Sequence, residues 1–457
     1  MFDGMRPGQG GKGAVPPAGE GGGGIDMLPD GVLGHILGFL LAPEAVRTCV
    51  LARRWRHLWK SATRLRIGCC WDDIATPVEE HREFVDNLLL SRGGLPLDTC
   101  EFNFGPVQRN DAPRVNSWLR YAITCKARVI ILDVQPEDTE PPIPSALLRL
   151  DDQLLVSRHL TRLELVFLDL CNSSFIDFSN CSSLEHLVLE YCEITSAKKI
   201  SSDSLKYLSL ITCHIRASAP GQPRICISVP NLVSLNISDI EGRTPILDSM
   251  PSLVNAFVGI TCNCDDICNK LVDPTSFHCG CEFCVTSGNI GHDYRHSVLL
   301  KGLSEARNLD LISAPEMFIF KWDLRWLPIF SNLETLLLNE YFCMSDDLSA
   351  LTCILEHSPL LKKLTLELFS QSYKYKVEMK GSFSLMERPA TISEHLKIVE
   401  VKCQAVDDRV LKVLKFLCTF NILARPRTVR EAYGTGYVLF FSCHIIHMCV
   451  LQTLAWD

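Results

Sequence analysis

A six-residue pattern, L-x-x-L-x-L, returns along this chain and constrains it more than any other feature. LTRLEL ends at Leu165, LEHLVL at Leu189, LKYLSL at Leu210, LVSLNI at Ile237, LETLLL at Leu338 and LKKLTL at Leu366. Alternate side chains of a strand point to opposite faces, so the final L-x-L of each copy sends its two apolar residues into one core. Weaker copies occur near 129–131, 253–258, 309–311 and 396–401. Most neighbouring clean copies lie 21 to 28 residues apart, a period at which each unit supplies one short strand. A single unit cannot bury its own leucines. The units must stack, and the stack predicts a curved solenoid with parallel strands on its concave side. Unequal spacing predicts irregular curvature. Cys192 and Cys213 occupy the same place just after two of the strands, where a small buried residue can close the turn.

Composition narrows the class. At 457 residues with 47% hydrophobic content, the chain can build a large core or an elongated array. The net charge of -8 is mild, and a nucleic-acid partner would require a concentrated basic face. Residues 1–24 are glycine-rich with no apolar run, unlike a secretory signal, and are expected to be disordered. The 22 cysteines are therefore expected to be reduced, as buried small residues or metal ligands rather than disulfides. The expected location is the cytoplasm and/or the nucleus.

Ahead of the repeats stands LPDGVLGHILGFL, residues 28–40. Pro29 can open a helix whose Leu33, Ile36, Leu37 and Leu40 fall on one face. Gly34 and Gly38 weaken it by about 1 kcal/mol each. Pro43 can open a second helix through PEAVRTCVLARRWRHLWKS, with Val46, Val50, Trp55, Leu58 and Trp59 as apolar bulk and the arginines as a wet face. This unit of roughly forty residues is at the lower limit of independent stability.

Over about thirty-five residues this stretch resembles an F-box. The Leu-Pro start, ILGFL and AVRTCVLARRWRHLW all match in type and spacing. Ala52 departs from the serine that commonly precedes the paired arginines. FVDNLLLSRGGLPLDTCEFNF resembles the segment that follows in plant F-box proteins with leucine-rich repeats. LKIVEVKCQAVDDRVLKVLKFL resembles the small FBD module near the C-terminus of such proteins. The resemblance implies an α/β chain: a small three-helix F-box, then an irregular leucine-rich-repeat solenoid with a parallel sheet on its concave face. The expected divisions are a leader at 1–24, an F-box at 25–66, a solenoid at 67–384 with a cysteine-rich insertion near 262–284, an FBD-like module at 385–421 and an atypical tail at 422–457.

The resemblance further implies a non-catalytic, substrate-recognition subunit of an SCF-type ubiquitin ligase. Its partners would be a Skp-family adaptor, through it a cullin and a RING protein, and a protein substrate. Carried onto this sequence, the adaptor face comprises Leu28, Pro29, Leu33, Ile36, Leu37, Leu40, Val50 and Leu51, with Trp55 and Trp59 locking the helices. The x positions of the repeats, Glu185, His186, Lys206, Tyr207, Val233, Ser234, Glu334 and Thr335, would face the substrate. The alternatives are a repeat scaffold without ubiquitin transfer and a membrane-tethered receptor.

Three local features remain. CNCDDIC at 262–268 and HCGCEFC at 278–284 could furnish four zinc ligands, Cys264, Cys268, Cys281 and Cys284, in two close pairs. The alternative is a reduced cysteine-rich loop without metal, and no other cofactor is expected. No G-x-S-x-G, P-loop or H-E-x-x-H occurs, so the sequence offers no catalytic constellation. The uncharged run at 437–456 has the length of a membrane span, interrupted by Ser442, His444, His447, Gln452 and Thr453. It reads as an anchor, a buried cap on the solenoid, or an atypical end without selected structure.

Overall fold

The structure is a computed structural model. It describes residues 24–68, 78–136, 147–151, 156–170, 178–216 without 196 and 198, 224–268 without 262, 297–369 without 346 and 347, 395–419 without 405, and the backbone of 426–430 and 437–442. The glycine-rich leader before residue 24, the second half of the cysteine-rich insertion and the tail after 442 lie outside the described residues.

The repeats lay down one long sheet. Its strands are β1 (Arg64–Gly68), β2 (Thr99–Val107), β3 (Val129–Pro136), β4 (Arg162–Val166), β5 (His186–Glu190), β6 (Tyr207–Ile211) and β7 (Ser234–Ser238). They continue as β8 (Asn255–Ile260), β9 (Asn308–Ser313), β10 (Thr335–Asn339), β11 (Lys363–Leu368) and β12 (Ile398–Cys403). All twelve run parallel, each beside its neighbour in sequence. The sheet ends antiparallel: β14 (Tyr437–Ser442) pairs with β12, and β13 (Pro426–Arg430) pairs with β14. Part of the uncharged run is thus a strand, and no described helix is long and apolar enough to cross a membrane.

The repeat leucines do what their spacing requires. Leu163, Leu165, Leu187, Leu189, Leu208, Leu210, Leu235 and Ile237 are buried in one continuous core. Each is worth about 1.5–3 kcal/mol when removed from water. Behind the sheet, short parallel strands form smaller sheets, one of them through 148–149, 168–169, 193–195, 214–216 and 241–242. The chain turns from the main sheet into this one at Phe167, Tyr191, Thr212 and Asp239, all with left-handed φ between +47° and +59°. Each donates its backbone N–H to the end of the next strand, as Tyr191 does to Ile211 O at 3.0 Å and Asp239 to Gly259 O at 3.1 Å. Immediately after, Cys192 and Cys213 are buried and donate Sγ–H to Leu165 O and Leu189 O, both at 3.3 Å. The cysteines close the turn as their shared position predicts, and all described cysteines are free thiols.

Helices flank the first strands: α3 (Val78–Arg92) and α4 (Ala112–Thr124), with α5 (Ile319–Asp323), α6 (Ser349–Glu356) and α7 (Asp408–Thr419) further along. Before them come α1 (Asp30–Leu37) and α2 (Ala42–Arg47). The long second helix expected after Pro43 is broken. α2 gives way to a 3-10 turn at Thr48–Val50, and a further 3-10 segment runs Arg53–Ser61. The break is at Ala52, whose extended backbone (φ −159°, ψ 165°) interrupts the helical path.

Candidate functional site

Two surfaces have the chemistry to hold a partner. The first is built by the N-terminal helices. Arg54 ties them together: its guanidinium donates to Asp30 Oδ1 at 2.6 and 2.8 Å and to Leu28 O at 2.5 Å. Leu33, Leu37, Ala45, Trp55, Leu58 and Ala62 form an internal core, with Leu28, Ile36, Leu40 and Trp59 at its margin. The helical stripe expected to await a partner is thus largely spent inside the unit. Leu33 is fully buried and Leu37 is 2% exposed, because α1 ends at Leu37 and its apolar face closes on Trp55 and Leu58. Gly38 lets the end of α1 lie against the start of β1: a Cβ there would stand 3.0 Å from Arg64 Cβ and 3.2 Å from His35 O.

What remains outside lies elsewhere. Val50 and Leu51 are 82% and 67% exposed on the 3-10 turn after α2. Val32 and Phe39 are also exposed, with the Phe39 ring edge-on to His35 at 5.0 Å and beneath Arg64 at 5.6 Å. Scattered apolar residues on a surface are ordinary; Val50 and Leu51 are neighbours in the chain and both largely exposed. Pro29 is exposed at the N-terminal entry to α1.

The second surface is the open face of the long sheet. Strand alternation presents the residues between the buried leucines: His186, Val188 and Glu190 on β5, Tyr207, Ser209 and Ile211 on β6, Ser234, Asn236 and Ser238 on β7. Of the eight expected substrate positions, His186, Tyr207, Ser234 and Thr335 begin strands and share one register row. The His186 and Tyr207 rings stack at 4.1 Å. Partial burial, then the Arg162 charge, lower the His186 imidazole below its usual range. Glu185, Lys206, Val233 and Glu334 sit one residue earlier. Their carbonyls each receive two N–H groups from the next repeat, as Glu185 O does from Lys206 and Tyr207 at 2.9 Å. Glu185 and Lys206 pair at 2.6 Å, which lowers the Glu185 carboxyl. Those four positions form the sheet's lower rim.

The positions after them escaped the six-residue pattern. Asp133, Glu190, Asp310 and Leu337 also face the open side: Asp310 and Leu337 stand between the paired leucines, and Asp133 and Glu190 are reached by continuing the strand alternation one step beyond the last leucine. Burial, reinforced by Glu190, raises the Asp133 carboxyl, and burial with the Glu367 charge raises Asp310.

Of the four expected zinc ligands, Cys281 and Cys284 lie outside the described residues. Cys264 and Cys268 are buried. Cys264 donates its Sγ–H to Gly242 O at 3.1 Å, and burial with the Asp266 charge pushes its thiol up to about 12. No cluster of three or more His, Cys, Asp or Glu suited to a metal occurs among the described residues. What holds this segment is an ion pair. Asp266 accepts Arg224 Nη1 and Nη2 at 2.8 and 2.7 Å and Thr244 N at 2.9 Å, with both charged side chains at least 95% buried.

No family model matches the chain. Among known proteins, it is 25% identical over 433 residues to an F-box/FBD/LRR-repeat protein of Arabidopsis thaliana, covering 88% of this chain and 91% of the relative. A second F-box/FBD/LRR-repeat protein of that plant is 25% identical over 416 residues, 85% of each chain. F-box/LRR-repeat protein 13 of Arabidopsis thaliana is 25% identical over 433 residues, 89% of each. Likeness of this extent, repeated across many relatives, supports a plant F-box/LRR family for the chain, and the mixed α/β architecture with parallel sheets agrees with a leucine-rich-repeat fold.

Proposed function

We propose that this member of the plant F-box/LRR group is a non-catalytic substrate-recognition subunit of an SCF-type ubiquitin ligase. In this reading the helices through residue 61 are an F-box that docks on a Skp-family adaptor, and through it on a cullin and a RING protein. The open face of the sheet holds a protein substrate. The chain supplies no reacting group. It brings a substrate lysine near a charged ubiquitin carrier, raising its effective concentration. The work takes place in the cytoplasm and/or nucleus, and the cysteine-rich insertion is structural.

The observation that carries the adaptor half is the exposed Val50–Leu51 pair beside a unit whose own core is already closed. Adaptor contact would bury both, worth about 1.5–3 kcal/mol each. Val50→Asp and Leu51→Asp should each weaken adaptor capture by roughly 10- to 100-fold while the chain's thermal transition stays in place. Undiminished capture of the adaptor by the double variant would overturn the reading. Recovery of the cullin alongside the adaptor separates a ligase subunit from a scaffold.

A further inference from the structure

Most carboxylates on the open sheet face are matched by a cation. Glu101 takes Arg66 at 2.8 Å, Glu164 takes Arg162, Glu367 takes Lys402 at 3.2 Å and Glu400 takes Lys363 at 3.0 Å. Asp133 and Glu190 make no ion pair among the described residues. The two share one register row. Asp133 stands opposite Val166, and Val166 opposite Glu190. Strands lie about 4.8 Å apart, so the two acidic residues are separated by about 10 Å with only a valine between them. Asp133 Oδ1 is buried with no hydrogen-bond partner, and its other oxygen receives only Asn103 Nδ2 at 3.3 Å.

The residues that follow Val166 and Glu190 add a second kind of recognition. Phe167 and Tyr191 are half-buried, and their rings stack at 4.8 Å with planes 12° apart. Both hold left-handed backbone, which glycine or asparagine adopts with far less strain than a bulky side chain. The position keeps its rings at a conformational cost. Aromatic faces attract cations, and arginine most readily, because its planar guanidinium stacks and also offers a fork of donors to carboxylates.

We propose that this corner of the sheet face, Asp133, Val166 and Glu190 with the Phe167–Tyr191 stack, is the docking point for an arginine side chain of the protein substrate. The proposal rests on the reading that the open face receives a substrate. The guanidinium lies over Val166, donates to both carboxylates and stacks on an outer face of the ring pair. In the free chain Asp133 and Glu190 stand in one row without a counter-charge, one of them with a buried oxygen that lacks a hydrogen-bond partner, so an incoming cation finds an uncompensated site. The matched carboxylates offer no such vacancy, and the central β6–β7 surface carries no charge, with Tyr207, Ser209, Ile211, Ser234, Asn236 and Ser238. Specificity on this face is therefore concentrated at one side.

The test uses the purified full chain and fluorescein-labelled hexapeptides of arginine, lysine and citrulline at 0.15 M salt, read by anisotropy. The arginine peptide should bind, and the neutral citrulline isostere should not. Asp133→Asn with Glu190→Gln should weaken arginine binding at least tenfold. Asp310→Asn with Glu356→Gln removes the same charge elsewhere and should change it by less than twofold. Tyr191→Asn keeps a residue suited to the backbone, removes a ring, and should weaken binding at least threefold. Thermal midpoints check that each variant is folded. Equal loss in both double variants, equal affinity for the lysine peptide, or no binding by the unaltered chain would each overturn the proposal. Adaptor capture by the same preparations is read separately. Its failure counts against the F-box reading and leaves the arginine result to stand or fall alone.

Discussion

The N-terminal helices close a core of Leu33, Leu37, Trp55 and Leu58 and still leave Val50 and Leu51 outside. The repeat array buries nearly every leucine it has and shows mainly polar or charged residues on its open face. One region is a small local fold with spare apolar surface. The other is a long cooperative stack whose exposed side is electrostatic. The difference teaches where each kind of partner belongs: a constant apolar contact suits the first, and a variable polar one suits the second. It also says how each should fail.

The largest effect is expected inside the array, where contacts join residues far apart in sequence. Arg224 and Asp266, 42 residues apart, make the buried pair that anchors the segment at 264–268. Arg224→Met leaves a buried carboxylate alone and should cost about 3–5 kcal/mol, read from denaturant midpoints. Arg224→Met with Asp266→Leu should recover most of it. Burial alone would raise the Asp266 carboxyl, but Arg224 and Thr244 outweigh it and the net shift is downward. A folded-state pKa below the unfolded value stabilises above the unfolded value and loses that contribution as pH falls through the folded one. The deficit of Arg224→Met should therefore widen from acid toward neutral pH. A deficit independent of pH would remove the ion pair from the account.

Next come paired core substitutions that set the two regions against each other. Leu189→Ala should cost about 2–5 kcal/mol and weaken neighbouring repeats with it, because each repeat leans on the next. Leu37→Asp places a charge in the small core and should open residues 25–61 to hydrogen exchange while the array keeps its protection. For that reason Leu37→Asp is a poorer probe of adaptor contact than Leu51→Asp: it removes the platform along with the face. The joint between the regions sets the limit. Ala42 is buried with Leu65 and Leu88, and Trp59 packs against both cores. If Leu37→Asp strips protection from β1 through β4 as well, the two regions are one cooperative unit and the contrast drawn here fails.

Legibility in the sequence followed the strength of local pattern. All six clean copies of L-x-x-L-x-L fall on strands, and so do the four degenerate ones. β1 and β2 were not read from the repeat. Their inward positions hold Leu65, Ile67, Cys100, Phe102 and Phe104, which fill the same space without the leucine spacing, and β1 crosses the expected boundary at residue 66. The apolar residues of the N-terminal helices are recognisable by type, but their division between core and surface is not. Helical periodicity shows that Leu33 and Leu37 share a face and is silent on what covers it. The unmatched pair Asp133 and Glu190 belongs to different repeats. Only sheet register brings them to one row, and register is a tertiary fact.

The smallest expected effect concerns the one departure from the family pattern. Ala52 stands where the resemblance to an F-box leads one to expect serine, and by sequence alone that change looks harmless. The structure puts Ala52 at the N-cap of the Arg53–Ser61 segment, extended and without a side-chain cap. Its carbonyl already accepts the Trp55 N–H at 3.0 Å. A serine hydroxyl there could accept an N–H of the first turn, a gain of about 0.5–2 kcal/mol. Ala52→Ser should raise the stability of the N-terminal unit by that amount, measured by hydrogen exchange at Trp55 and Leu58. It should leave the array's midpoint unchanged. Adaptor affinity should rise slightly or hold, because Leu51 precedes the cap directly and a firmer turn presents it with less motion. A stabilisation spread evenly over both regions would again merge them, whereas a gain confined to residues 25–61 marks the helical unit as a separately tuned part that shares a chain with the array.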